Sequence, residues 1–346
     1  MRQVRIHGPA DVRVDAVPVP SAGPNDVVVQ IKACGICGTD LAFVAGGGVA
    51  GVGVAGGVHP MPLGHEASGV IVQLGQAVQG LSEGMRVAVN PMTADAVIGN
   101  GGPEGAFCDY LLVRQAKLGR SIFPIPPGMS DAVAALVEPL SVARHGVSRM
   151  EARPGSNAVV YGAGPIGLGA VLWLARAGVN VVSIDLDADR LARAKKLGAF
   201  ETIQASPSVS IPERLKQIFG PARTALDEDA VNVDSFMDAA AAPHIPDQVV
   251  RMGKHGARLV LVGVHKDKVA VDFYSLLKSE MIITASIGYP VELPMVLADL
   301  ATLGEEADVL ISHRYPFESF AEAFETARGG KCAKVMVEFG APHGAL

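Results

Sequence analysis

No run of lysine and arginine long enough to form a basic stripe occurs in this 346-residue chain, whose formal net charge is −6, so nucleic acid is not an expected partner. Residues 1–14 mix Arg, His and Asp with Val and lack the apolar centre of a signal peptide, which makes the cytoplasm the expected compartment. Cysteine is scarce. The four present, Cys34, Cys37, Cys108 and Cys332, suit a reducing compartment where thiols bind metal or stay buried. Aromatic residues make up 5% of the chain and Trp173 is the one tryptophan, so a substrate pocket is expected to be lined by aliphatic side chains, Phe43 and a glycine-rich loop. Residues 158–175 carry no charge and approach bilayer-spanning length, but Gly162, Gly164, Pro165 and Gly167 break them into a strand, a tight turn and a buried helix. No membrane contact is expected.

What is present describes a globular enzyme: 49% hydrophobic residues, 18% charged, and Gly and Pro abundant but dispersed. Single cores rarely grow past roughly 250 to 300 residues, so the length predicts two domains. The first third reads as β structure, with Val12, Val14 and Val17, then apolar runs at 27–31, 69–74 and 85–89 between Pro and Gly turn signals. From about Ser141 strands alternate with longer helical segments, the pattern of parallel βαβ units. Strands are predicted at 158–161, 180–185, 235–238 and 258–262, with helices at 166–177 and 188–197 among those between them. After Ile287 come a helix, a strand near 312–315, a helix at 317–328 and a closing strand at 333–338 that would rejoin the first domain. Residues 46–57, rich in Gly, Ala and Val, read as a mobile surface loop, either a substrate lid or an insertion without a role.

The run Val159-Val160-Tyr161-Gly162-Ala163-Gly164-Pro165-Ile166-Gly167 places G-x-G-x-x-G directly after an apolar strand and at the opening of a helix. In that context Gly162 allows the sharp turn, Gly164 lets backbone approach a pyrophosphate, and Gly167 lets helix pack closely on strand, while the helix N-terminus faces the negative charge. The next predicted strand ends in Asp185, at the spacing expected of the acid that hydrogen-bonds the adenine ribose and repels a 2′-phosphate; NAD is therefore expected over NADP. Arg190 either flanks that ribose or is simply solvated. The bland alternative is a structural βαβ unit with an incidental acid.

Cys34-Gly35-Ile36-Cys37 has the spacing of half a structural zinc site or of a redox pair. A four-cysteine site needs a second close pair, whereas Cys108 and Cys332 are isolated. A redox motif opens a helix after a strand, whereas this one precedes Gly38-Thr39-Asp40 in a β-rich region. Gly64-His65-Glu66 and Glu138-Pro139-Leu140 supply the imidazole and carboxylates that a catalytic zinc commonly takes.

With these motifs, and with the closing Lys334-Val335-Met336-Val337-Glu338, the chain resembles the zinc-containing medium-chain dehydrogenases over nearly its whole length, in particular the sorbitol, butanediol and threonine dehydrogenase branch. The resemblance implies an α/β protein. A GroES-like, β-rich catalytic domain would occupy 1–144 and be completed by 288–346; a Rossmann domain with a doubly wound parallel sheet would occupy 145–287; the active site would lie in the cleft. Cys37 and His65 would be zinc ligands, and Glu66 and Glu138 the carboxylates that coordinate directly or through water; a cysteine stands at the position of Glu138 in the alcohol dehydrogenases proper. Asp40 would accept the other imidazole N–H of His65, or else merely cap a helix. Thr39 would begin a proton relay, or likewise serve as a cap; relatives continue the relay to a histidine where this chain has Ala42, so water or Glu66 is left to complete it. Backbone at Val262-Gly263-Val264 and Ile287-Gly288 would meet the nicotinamide. Relatives with a second, structural zinc carry four cysteines after the strand ending near Asn90, and residues 91–100 contain none, so one zinc per chain is expected.

The expected activity is reversible hydride transfer between a secondary alcohol, diol or polyol and NAD, in a homo-oligomer, dimer or tetramer. The competing readings are a zinc-free reductase of the same fold, which would lack Cys37, His65 and Glu138 together, and a nucleotide-binding protein without chemistry.

Overall fold

A computed structural model describes residues 1–53, 56–92 and 97–341 of the chain. The chain forms two compact units, one of Met1–Glu138 with Leu293–Leu346, the other of Pro139–Glu292.

The first unit is built on a seven-stranded sheet. Its path runs Ile311–Pro316, Lys334–Glu338, Val27–Ile36, Glu66–Leu74, Arg86–Val89 and Ile122–Pro124, and Tyr110–Val113 also pairs with Val27–Ile36. The closing strand lies antiparallel to Val27–Ile36, in the register Met336 to Gly35 and Val337 to Cys34, so both ends of the unit share one sheet. Ile31, Leu63, Phe107, Ile122 and Val337 lie in its core. Strand Val27–Ile36 runs well past the predicted end at Ile31, and helix Gly38–Gly46 starts immediately after it with Cys37 as its N-cap. Cys34 and Cys37 therefore do sit at a strand-to-helix junction, contrary to the β-rich setting read from the sequence. The glycine-rich stretch is exposed at residues 50–53, 56 and 57, as a surface loop would be, but its first part is built into the fold. Gly47 ends the helix at φ +78°, Val49 is buried, and a Cβ on Gly51 would lie 1.8 Å from the carbonyl oxygen of Gly46. Residues 54 and 55 of that stretch, and 93–96 of the cysteine-free one, lie outside the described residues.

The second unit carries a six-stranded parallel sheet in the order Glu201–Gln204, Asn180–Asp185, Asn157–Tyr161, Ser235–Asp238, Arg258–Leu261, Ile282–Ala285. Strand order reverses between Asn157–Tyr161 and Ser235–Asp238, which makes the sheet doubly wound and puts a crevice at the carboxyl ends of those strands. Val159, Val182, Phe236 and Leu259 share its core, as expected of strands covered on both faces. Helix Pro165–Arg176 begins with Gly164 as N-cap and Pro165 at its first position, where a missing N–H costs nothing. Among the described residues, no helix is long and apolar enough to cross a membrane.

Candidate active site

In the first unit the antiparallel register that sets Glu66 opposite Gly35 brings the start of strand Glu66–Leu74 to the junction carrying Cys37. One ligand atom each from Cys37, His65 and Glu66 lies within 4.8 Å of the others, and His65 and Glu66 are buried. Asp40, also buried, ties the helix to this cluster: one carboxylate oxygen accepts the Cys37 N–H at 2.9 Å, and the other faces His65 Nδ1 at 3.4 Å. Neither atom of that facing pair has a hydrogen-bond partner among the described residues. Burial opposes the charged imidazole, but Asp40 and Cys37 outweigh it and hold His65 well above the ordinary histidine value. Burial pushes the Cys34 thiol well up, with Asp40 and Glu66 adding to it, so Cys34 stays a neutral core residue. A thiol, an imidazole and a carboxylate converging in a buried pocket fit zinc, and orphaned polar atoms beside them mark a site built for more than its own side chains.

Glu66 has a second partner. The Lys334 ammonium donates to both of its carboxylate oxygens at 2.6 Å and to the Ile36 carbonyl at 3.0 Å. Both side chains are buried. Gly35 makes the pairing possible, because a Cβ there would come within 2.0 Å of Glu66 Oε2. Glu138, in the first turn of helix Val137–Met150, is buried but outside the convergent trio; its charge, after that of Glu66 and Cys37, helps hold Lys334 above the ordinary lysine value despite burial. Thr39 lies half-buried in the first turn of helix Gly38–Gly46.

In the second unit Gly162 has φ +90°, and a Cβ on Gly167 would lie 1.7 Å from the Gly162 carbonyl oxygen, so turn and helix tolerate no side chain there. Gly164, in contrast, faces open space. Asp185 accepts the Ala163 N–H at 2.6 Å and the Asp187 N–H at 2.9 Å, locking the glycine turn to the neighbouring strand end; an Arg190 nitrogen lies 3.8 Å from it. Val262 and Gly263 follow strand Arg258–Leu261, and their N–H groups donate to the Asp238 carbonyl. Val264 and Ile287 are largely exposed, and Gly288 sits at φ +66°.

A sequence profile described as alcohol dehydrogenase GroES-like domain matches residues 23–127, and one described as zinc-binding dehydrogenase matches 165–302. Sorbitol dehydrogenase of Rattus norvegicus is 32% identical, the alignment covering 96% of this chain and 94% of that protein. The chain belongs to the zinc-dependent alcohol and polyol dehydrogenase family. As such it is a zinc-dependent oxidoreductase of alcohols, with a GroES-like unit and a nucleotide-binding unit. Among solved structures, 2R,3R-butanediol dehydrogenase from Bacillus subtilis superposes with a TM-score of 0.85 at 25% identity, covering 97% of this chain and 99% of that one. A zinc-binding dehydrogenase from Sinorhizobium meliloti 1021 bound to NADP gives a TM-score of 0.83 at 27% identity, covering 97% and 98%.

For this dehydrogenase, sequence reasoning assigned no role to Lys334 or Gly35 at the zinc end, nor to Asp238 and His265 at the nucleotide end. A lysine inside a closing strand reads as solvent-facing, and a glycine inside a Cys-x-x-Cys reads as a turn. Asp238 did carry a signal, since it ends its strand as Asp185 ends its own.

Proposed function

We propose that the chain oxidises a secondary alcohol, diol or polyol with NAD as hydride acceptor, at a single zinc ion held by Cys37, His65 and a glutamate. The observation that carries this reading is the buried convergence of Cys37, His65 and Glu66 within 4.8 Å. Zinc held there would supply a Lewis acid that makes a hydroxyl easier to deprotonate near neutral pH, and the nicotinamide would take up the hydride. Cys37 and His65 bind the metal, Asp40 orients the imidazole, Lys334 neutralises and fixes Glu66, and Glu138 supplies a second carboxylate that coordinates directly or through water. Thr39 accepts the substrate proton and hands it to water, because Ala42 offers no further group.

In the nucleotide-binding unit Gly162, Gly164, Pro165, Ile166 and Gly167 cradle the pyrophosphate. Asp185, flanked by Arg190, selects NAD by its charge, and Val262, Gly263, Val264, Ile287 and Gly288 meet the nicotinamide through backbone. We further read the protein as a cytoplasmic homo-oligomer, dimer or tetramer. Ile282 on the outer strand Ile282–Ala285 and Ile287 just after it are exposed, as are Phe273 and Leu277 on the helix that precedes the strand, and exposed apolar side chains at a sheet edge make a natural subunit contact. Mass by light scattering tests that; a monomer at micromolar concentration refutes it.

A panel of secondary alcohols, diols and polyols assayed with NAD and NADP, before and after chelation, tests the central claim together with elemental analysis. The expected result is one zinc per chain, NAD-preferring turnover and its loss on chelation. Full activity without metal, two zinc ions per chain or preference for NADP each overturns its part of the reading.

A further inference from the structure

At the carboxyl edge of the parallel sheet a second aspartate repeats the construction of Asp185 one step past the switch point. Asp238 ends strand Ser235–Asp238, is fully buried, and folds the following turn onto itself: one carboxylate oxygen accepts the N–H groups of Ala240 at 3.0 Å and Ala241 at 2.8 Å. The other oxygen meets Nε2 of His265 at 2.8 Å. An ionised carboxylate only accepts hydrogen bonds, so Nε2 carries the proton; in a neutral imidazole Nδ1 then keeps its lone pair and is an acceptor. Among the described residues His265 makes no other hydrogen bond, and its side chain is 14% exposed. The buried aspartate thus fixes an imidazole that keeps one polar atom, Nδ1, unbonded among the described residues.

The neighbouring turns say what that atom would meet. A Cβ on Gly162 would come within 3.0 Å of Ala240, and one on Gly263 within 2.8 Å of the Ala241 nitrogen, so the turns after Asn157–Tyr161, Ser235–Asp238 and Arg258–Leu261 stack side by side. With the pyrophosphate at the first turn and the adenosine half towards Asp185, the second nucleoside extends over the other two turns, since a doubly wound sheet binds one half of a dinucleotide on each side of its reversal. We infer that His265, oriented by Asp238, binds the nicotinamide-side ribose by accepting a hydrogen bond from one of its hydroxyls at Nδ1. This rests on the dinucleotide reading of the unit, and it makes His265 a determinant of cofactor placement in its own right.

Calorimetric titration of the zinc-loaded full-length protein with ADP and with ADP-ribose, which adds only the second ribose, separates the two halves. His265→Phe is expected to weaken ADP-ribose about three- to tenfold and to leave ADP within about twofold, the size of one neutral hydrogen bond. Equal losses for both ligands, or none for ADP-ribose, overturn the inference. His265→Gln, whose amide N–H keeps the bond to Asp238 while its carbonyl accepts, is expected to restore most of the loss. Should the Phe variant fail to fold, ¹⁵N-histidine spectra of the wild type decide: the resonance absent from the Gln variant moves on addition of ADP-ribose and not of ADP, and an unmoved Nδ1 signal overturns the assignment. A wild type that binds neither ligand removes the dinucleotide reading itself, and this inference with it.

Discussion

The Glu66–Lys334 pair is a buried ion pair at the zinc end of the first unit. Two buried charges hold each other and leave no room for error, since removing one partner strands the other in a low dielectric. Lys334→Met is expected to destabilise the first unit by about 3–5 kcal/mol and to lower zinc retention, read by chemical denaturation and metal analysis; pairing it with Glu66→Gln should recover most of the stability. A single variant as stable as wild type contradicts the pairing. Gly35 belongs to the same device, and its role was illegible because glycine in a strand commonly marks a bend or a close approach, and sequence cannot say which. Cys37, His65 and Asp40 were picked out through the resemblance of their motifs to the zinc-containing medium-chain dehydrogenases, and the fold brings them together. At Thr39, substitution by Val is expected to slow turnover about a hundredfold or more while NADH affinity stays put, as for loss of a group that moves a proton. An unchanged rate takes Thr39 out of the mechanism.

Among elements, the parallel strands were read best. Asn180–Asp185 and Ser235–Asp238 appear at the predicted bounds because a strand covered on both faces is a short, unbroken apolar run. Strand Val27–Ile36 was cut short, and the helix after it missed, because Ala33-Cys34-Gly35 interrupts the apolar pattern in sequence although all three are buried in space. The segment expected as one helix at 317–328 opens as the 3-10 turn Phe317–Ser319 before helix Phe320–Arg328. The glycine turn offers a sharp comparison of element-level roles. Gly167→Ala pushes a methyl into the Gly162 carbonyl and is expected to lower both thermal stability and NADH affinity. Gly164→Ala meets no protein atom and is expected to melt like wild type yet bind NADH at least about tenfold more weakly, because the space it fills is the ligand's. Normal NADH binding by the Gly164 variant contradicts the pyrophosphate assignment.

On the scale of the whole molecule the two units have separate cores, Ile31 and Phe107 in one, Val182 and Phe236 in the other. Each therefore answers to its own ligand. NADH at a hundred times its Kd is expected to add about 2.7 kcal/mol to unfolding of the nucleotide-binding unit, whereas chelation lowers the stability of the unit carrying Cys37, both read from calorimetric melts. Chelation that leaves every transition in place argues against a zinc that contributes to folding. The first unit is also discontinuous: Glu66 and Lys334 are 268 residues apart in the chain, and the strand that carries the lysine pairs directly with Val27–Ile36. During synthesis the carboxylate therefore emerges long before its counter-charge, while every residue of Pro139–Glu292 is made in between. The nucleotide-binding half is free to fold as it leaves the ribosome. The metal centre must wait for the closing strand, so a ribosome stalled shortly before residue 334 would display a competent Rossmann sheet and an unfinished, zinc-free first unit.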